Sequence, residues 1–325
     1  MNKKKLLLEK LSDGKFYSGA RLAGELGVSR TAIWKQIESL SGYGLDIYRV
    51  RGKGYCLARP LELFDIERIR SVLEPAVKEE LGSTEVFFTT NSTNQQLMDR
   101  IGVSGFHCSV VLAEYQTAGR GRRGRQWLSP LGAGICFSIG WHFDSQPETI
   151  TALSLAAGVS IVQTLHEYGI DQARLKWPND LFCEGNKLGG ILVETRSEMA
   201  GPCDIVLGIG INFSLPDSVG GSIPQPVTDV SSQLGQLPSR NLLAGALINS
   251  TVQMLKEFRA HGFTPFRELW RRFDCFSGKQ ATLSMPDRTV TGKVLGISGS
   301  GLLCMSIAGA VHEFASGDLN LRIKP

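Results

Sequence analysis

The sequence predicts an α/β (α+β) multidomain protein. Three observations carry that expectation: basic charge concentrated at the N-terminus, three short helical patterns ending in a hairpin, and strands mixed with helices from about residue 84 onward. At 325 residues the chain exceeds what one hydrophobic core usually serves, so two or three domains are expected. Residues 1–60 hold twelve Lys/Arg against five Asp/Glu, a net of +7, which leaves 23 basic and 26 acidic side chains, a net of −3, for residues 61–325. A small basic segment on a larger, slightly acidic body is the charge footprint of a nucleic-acid-binding module attached to an enzyme.

The N-terminal elements follow in order. Leu6, Leu7 and Leu11 mark a first helix, broken by Asp13-Gly14; Ser18 caps a second that turns Leu22, Ala23 and Leu26 inward. After a tight turn at Gly27, Ser29 caps a third helix whose Ile33, Ile37 and Leu40 fall at i, i+4, i+7 and face the core. Thr31, Trp34, Lys35 and Glu38 lie on the opposite face. An aromatic residue on so small a helix is usually core, yet the phase of Trp34 puts it outside. Two helices joined through a glycine turn, with polar and basic residues near the start of the second, aim those side chains at major-groove base edges. Two alternating stretches, 45–50 and 55–58, then flank Arg51-Gly52-Lys53-Gly54 and read as a hairpin. Residues 1–60 are thus expected to form a winged helix-turn-helix. Its candidate DNA contacts are Arg30, Thr31, Trp34 and Lys35 on the helix and Arg49, Arg51 and Lys53 on the wing, the last three suited to phosphates. A protein-docking winged helix is the competing reading.

Arg59-Pro60 ends the wing, and the helical pattern from Phe64 to Leu73 supplies a linker over residues 61–83. From residue 84, strands near 85–90, 108–115 and 134–141, a long helix near 149–168, and strands near 188–195 and 204–212 predict a sheet with helices in a domain over 84–274. No uncharged apolar run could span a bilayer, and Glu9-Lys10 end the apolar stretch at Leu6–Leu8 after three residues, so a cytoplasmic protein without a membrane partner is expected. Seven cysteines form no CxxC pair, which fits reduced thiols better than a disulfide framework or zinc site.

Between two expected strands runs a loop, residues 116–127, with four arginines and three glycines from Gly119 to Arg125. It has no apolar side chain to bury, so it should be mobile alone and ordered by an anion. Its GxGxxG spacing does not open a helix after a first strand, which argues against a dinucleotide fingerprint. Lys176-Trp177-Pro178-Asn179-Asp180 gathers a cation, an aromatic, an amide and a carboxylate at a strand end, where Pro178 should stop the sheet. Lys187-Leu188-Gly189-Gly190-Ile191-Leu192-Val193-Glu194 opens a strand with a lysine and two glycines that let a ligand approach the backbone. Asn91-Ser92-Thr93-Asn94-Gln95 caps a helix with hydroxyls and amides, a seat for a neutral polar head group or a phosphate. Each segment alone has a plain reading: an exposed basic loop, an Asx turn, a solvated lysine, a simple cap.

In this order the four segments resemble the biotin protein ligase family. The resemblance spans about residues 88 to 212, and the N-terminal module extends it toward the bifunctional ligase/repressor members. It implies a central class II aminoacyl-tRNA synthetase-like mixed sheet with helices and a C-terminal SH3-like β-barrel over 275–325, with which the glycine turns and alternation at 289–297 agree. It further implies a ligase that makes biotinyl-5′-AMP from biotin and MgATP and passes biotin to a lysine of a biotin carboxyl carrier protein domain. Lys187 and Arg122 would be catalytic. Ser92, Thr93, Asn94, Gln116, Arg120, Gly121, Arg122 and Lys187 would bind biotin; Arg122, Trp127, Asn179 and Asp180 would bind ATP or the adenylate, with Asp180 near its Mg2+. Operator DNA and a homodimer promoted by biotinyl-5′-AMP complete the implied partners. The alternatives are a non-catalytic biotin-sensing repressor, an enzyme whose residues 1–60 do not bind DNA, and a ligase of a related lipoate type. The loop at 215–240 resembles the family only loosely and contributes no candidate.

Overall fold

The computed structural model describes residues 3–197, 201–216 and 225–321. The N-terminal module is built from α1 (Lys3–Leu11), α2 (Gly19–Leu26), α3 (Arg30–Ser41) and the hairpin β1 (Ile47–Val50) with β2 (Gly54–Leu57). Ser18 Oγ accepts from Arg21 N and Ser29 Oγ from Ala32 N, so both expected caps are present. Gly27 ends α2 in the left-handed conformation at φ 61°, the geometry that turns the chain into α3. Leu7, Leu8, Leu11, Leu22, Ile33, Ile37 and Leu40 form the small core.

That core is not closed on itself. Leu131, from the body of the protein, is buried within it, and the Leu131 amide donates to the Tyr43 carbonyl at 3.0 Å. The Tyr43 ring meets Tyr115 edge-on at 4.9 Å and Phe88 at 6.4 Å. The linker holds two short helices, α4 (Ile66–Ser71) and α5 (Pro75–Glu80).

The central body has seven strands: β3 (Thr84–Phe87), β4 (Val110–Ala113), β5 (Gly134–Phe143), β6 (Ala173–Lys176), β7 (Asp180–Cys183), β8 (Asn186–Ser197) and β9 (Cys203–Asn212). Their order is β3-β4-β5-β9-β8-β7-β6; only β3 and β4 run parallel. Helix α6 (Thr93–Met98) follows β3, while α7 (Leu153–Glu167) packs on the sheet and on the long α9 (Arg240–His261). Two shorter helices, α8 (Val230–Gln233) and α10 (Arg267–Phe273), flank α9 in sequence. The tail is a five-stranded antiparallel sheet ordered β13-β12-β11-β10-β14, from β10 (Gln280–Ser284), β11 (Thr289–Ile297), β12 (Leu303–Ile307) and β13 (Ala310–Phe314) to β14 (Asp318–Leu321). One continuous core links it to the central body.

Two expectations need correction. Pro178 does not stop the sheet: residues 177–179 turn a hairpin in which Lys176 pairs with Asp180, and the added strand β7 carries Leu181 and Cys183 into the core. Helix α9 was not expected at all. Residues from Arg240 to Phe258 are buried on several of its faces, which blurs the one-sided period that marks a surface helix. At its start the wholly buried Arg240 donates to the carbonyls of Gly134 and Glu62, reaches Glu114 at 2.7 Å and stacks on Phe64. Glu114 is also buried, so removing either partner would strand a charge, a loss of about 3–5 kcal/mol. This pair ties linker, sheet and α9 together beside the arginine loop.

Candidate functional site

A cavity of about 410 Å³ opens on the face of the sheet, lined by the cap of α6, the arginine loop, the β6–β7 turn, and strands β8 and β9. Ser92 caps α6 through Gln95 N. The amide and hydroxyl of Thr93 both donate to Gln116 Oε1, at 2.8 and 3.2 Å, and Ser138 Oγ donates to Thr93. The Asn94 amide is satisfied inside the protein, donating to Glu194 at 2.8 Å and accepting from Ser138. Ser92, Thr93 and Gln116 therefore form a prearranged polar rim, with Asn94 as its buried support.

The glycines of β9 make room for this arrangement. A Cβ on Gly208 would stand 2.0 Å from Asn94 Oδ1, and one on Gly210 would stand 2.6 Å from the Trp127 ring. Trp127 thus lies flat on β9, its indole N–H buried without a hydrogen-bond partner among the described residues. The alternation Gly208-Ile209-Gly210-Ile211-Asn212, small residues on every second position of a strand, is the signal that could have located this floor. The floor also carries Cys136, whose thiol burial pushes up.

Charged groups line another part of the same cavity. Lys187 Nζ contacts Asp180 Oδ1 at 2.7 Å, both side chains largely shielded, and the β6–β7 hairpin and the start of β8 set that distance. Arg122 donates to Asn179, whose own amide donates to the Ile191 carbonyl. Burial pulls the Arg122 guanidinium below its usual range, and the like charge of Arg123 adds to the effect. Lys176, in the same motif, does not line the cavity; it sits over the rings of Phe182 and Phe276, where burial lowers its pKa.

The arginines of the loop have protein partners that were not foreseen. Arg120 reaches Glu194 at 3.0 Å and also donates to Gln95, while Arg123 and Arg125 share Asp318 of the C-terminal sheet at 3.3 and 3.0 Å. Gly121 lines the cavity between them. On the N-terminal module, Arg30, Thr31, Trp34, Lys35, Arg49, Arg51 and Lys53 are all exposed. Arg49 pairs with Glu38 of α3, and Lys53 lies over the Phe16 ring. The loop at 215–240, from which no candidate was drawn, falls partly outside the described residues; its Gln225 and Val227 line the cavity, and Pro226 accepts from the Lys187 amide.

The arrangement can hold an uncharged polar group against Ser92, Thr93 and Gln116 while two cations, Arg122 and Lys187, attend an anion. Fold and site define a protein ligase domain carried behind a helix-turn-helix: residues 86–212 match the biotin/lipoate A/B protein ligase family, and residues 3–56 match an HTH domain. Relatives named bifunctional ligase/repressor BirA align over nearly the whole chain. Those of Salmonella typhimurium and Escherichia coli are 38% and 37% identical, each over 97% of this chain and 96% of its own; that of Bacillus subtilis is 31% identical over 94% of both. A biotin protein ligase from Aquifex aeolicus, solved with biotin and ATP, superimposes with a TM-score of 0.63 at 26% identity, covering 74% of this chain and 99% of that one. The chain belongs to the bifunctional ligase/repressor family.

Proposed function

We propose that this chain activates biotin with ATP to biotinyl-5′-AMP, transfers biotin to a lysine of a biotin carboxyl carrier protein domain, and represses transcription from a biotin-responsive operator. The observation that carries the reading is the meeting, in one cavity, of the uncharged polar rim at Ser92, Thr93 and Gln116 with Arg122, Asn179, Asp180 and Lys187. Family membership supplies the substrate class.

In the first step an oxygen of the biotin carboxylate attacks the α-phosphorus, the bond to the bridging oxygen breaks, and pyrophosphate leaves. Two anions must meet, so cations aimed at the developing charge dominate. Arg122, partly desolvated, acts where Coulomb interactions are strengthened. Lys187 is held ready by Asp180 and exchanges part of that contact for phosphate oxygen. Trp127 shelters the adenylate, and Arg120 and Gly121 close over it. In the second step the carrier lysine attacks the acyl carbon as a neutral amine; the amide forms, a proton is lost and AMP departs. Biotin's apolar tail adds roughly 0.8 kcal/mol per buried CH₂, so the polar rim supplies discrimination.

Among the described residues, Asp180 is the only carboxylate lining the cavity, and no group of three metal-ligating side chains occurs. That donor set fits Mg2+ arriving on the nucleotide, which Asp180 would help to hold. When bound, the ion neutralises triphosphate charge. No helix among the described residues is long and apolar enough to cross a membrane.

Incubation with a purified carrier domain tests the reading. Mass spectrometry should find one lysine biotinylated only when biotin and ATP are both present. A carrier left unmodified would reduce the chain to a sensor.

A further inference from the structure

We infer that Trp34, together with the methyl group of Thr31, reads the 5-methyl group of a thymine in the operator's major groove. This rests on the DNA-binding half of the proposed function and adds to it the chemistry of one recognised position. The inference starts from an apolar surface with no visible purpose: Trp34 is 48% exposed in the middle of α3, about a quarter-turn round the helix from the buried row of Ile33, Ile37 and Leu40. Thr31 lies one turn before it at i−3 and is also exposed, so the threonine methyl and the indole form one patch on the helix surface.

The groups around that patch say what covers it. Arg30 precedes Trp34 by four residues and Lys35 follows it, both exposed, and Arg51 and Lys53 project from the wing. The one acid on this face, Glu38, is held by Arg49 of β1, so its charge is offset within the module and does not repel a polyanion. Cations on the helix and the wing together with an exposed apolar centre match double-stranded DNA, whose phosphates meet the cations. At the floor of the major groove the one apolar group offered by any base edge is the thymine methyl. The site of Trp34 on the second helix of the helix-turn-helix places it toward that floor rather than toward the backbone. Trp34 therefore supplies specificity at that position, whereas Arg51 and Lys53 of the wing meet phosphates and supply affinity without sequence preference.

The test pairs a side-chain deletion with a methyl deletion. Duplexes are selected from a randomised pool by the full-length chain with biotin and ATP present, and each thymine of the selected duplex is then replaced singly by deoxyuridine. For wild type, one position should lose roughly four-fold in affinity, the transfer value of one buried methyl group. Trp34→Ala should bind the parent duplex more weakly, lose nothing further at that position, and keep the wild-type dependence on salt, because no phosphate contact is removed. Trp34→Phe, which keeps an apolar ring, should retain part of the discrimination. The side chain is half exposed, so thermal unfolding of Trp34→Ala should match wild type. A flat deoxyuridine scan, or a loss that persists in Trp34→Ala, overturns the inference while leaving DNA binding intact. Failure of the wild-type chain to retain any duplex overturns the DNA-binding reading, and the inference falls with it.

Discussion

Lys187 has a particular set of constraints around one side chain. Its backbone is pinned on both sides, its amide to the Pro226 carbonyl and its carbonyl by Thr228 N and Asn212 Nδ2, so the side chain can be changed without loosening the strand. Lys187→Ala should keep its fold and lose about 10²–10³ in the single-turnover rate of adenylate formation, the usual effect of deleting one group aimed at developing charge. A rate within a few-fold of wild type would remove Lys187 from the chemistry. Asp274 makes a separate, structural prediction. Burial raises its pKa from 3.8 to about 6, and Oδ2 has no partner among the described residues. The folded state thus holds the proton more tightly than the unfolded chain, and the cost of the charged form is absent below about pH 4 and full above about pH 6. Asp274→Asn should accordingly melt higher than wild type at pH 8, with the gap closing as pH falls from 6 to 4. A gap independent of pH would contradict the assignment. At this scale the sequence singled out Ser92, Thr93, Gln116, Arg122, Asp180 and Lys187, each in a compact motif, and all six line one cavity. It hid Glu194 and Asp318, which meet the loop's arginines from 74 and 195 residues away.

The arginine loop shows how an element can be read correctly in composition and incompletely in context. Four cations with no apolar cover should be mobile, yet Glu194 and Asp318 already hold three of them. Exposed pairs are worth roughly 0.2–1 kcal/mol each, so the loop is restrained but readily released. Asp318→Ala should raise tryptic cleavage within residues 119–125 a few-fold in the ligand-free protein, and biotin with ATP should suppress cleavage in both forms. Equal cleavage of mutant and wild type, unaffected by ligand, would show that neither carboxylate nor adenylate orders the loop. Other elements were hidden for different reasons. Strand β7 has only four residues after a proline that reads as a terminator, and α9 is buried on too many faces to show a helical stripe. The three N-terminal helices were legible because each has a cap, a break or a one-sided apolar face.

The N-terminal module and the central body share one apolar cluster. Tyr43, at the end of the recognition helix, packs on Tyr115, and the next residue is Gln116 at the cavity rim. A ligand that fixes Gln116 and the following loop thus acts one residue from the winged helix. We expect biotinyl-5′-AMP to favour a homodimer that reads two half-sites, with a coupling of ~1–3 kcal/mol, the usual range for linked sites. Sedimentation and operator titration should both tighten when the adenylate is present, and abundant unmodified carrier should reverse the change by consuming it. A monomer–dimer equilibrium and a DNA affinity that both ignore the adenylate would leave two unrelated functions on one chain. The N-terminal helix-turn-helix was readable from charge and periodicity, whereas the junction at Tyr43, Leu131 and Arg240 was not, since it depends on side chains distant in sequence.

The central claim is that the cavity is a catalytic site for biotin, not a passive sensor and not a lipoate site. Pyrophosphate exchange into ATP measures its first step alone, without carrier or DNA. Exchange should require biotin, fail with lipoate in its place, and collapse in Lys187→Ala; exchange supported by lipoate, or none with either acid, would contradict the account.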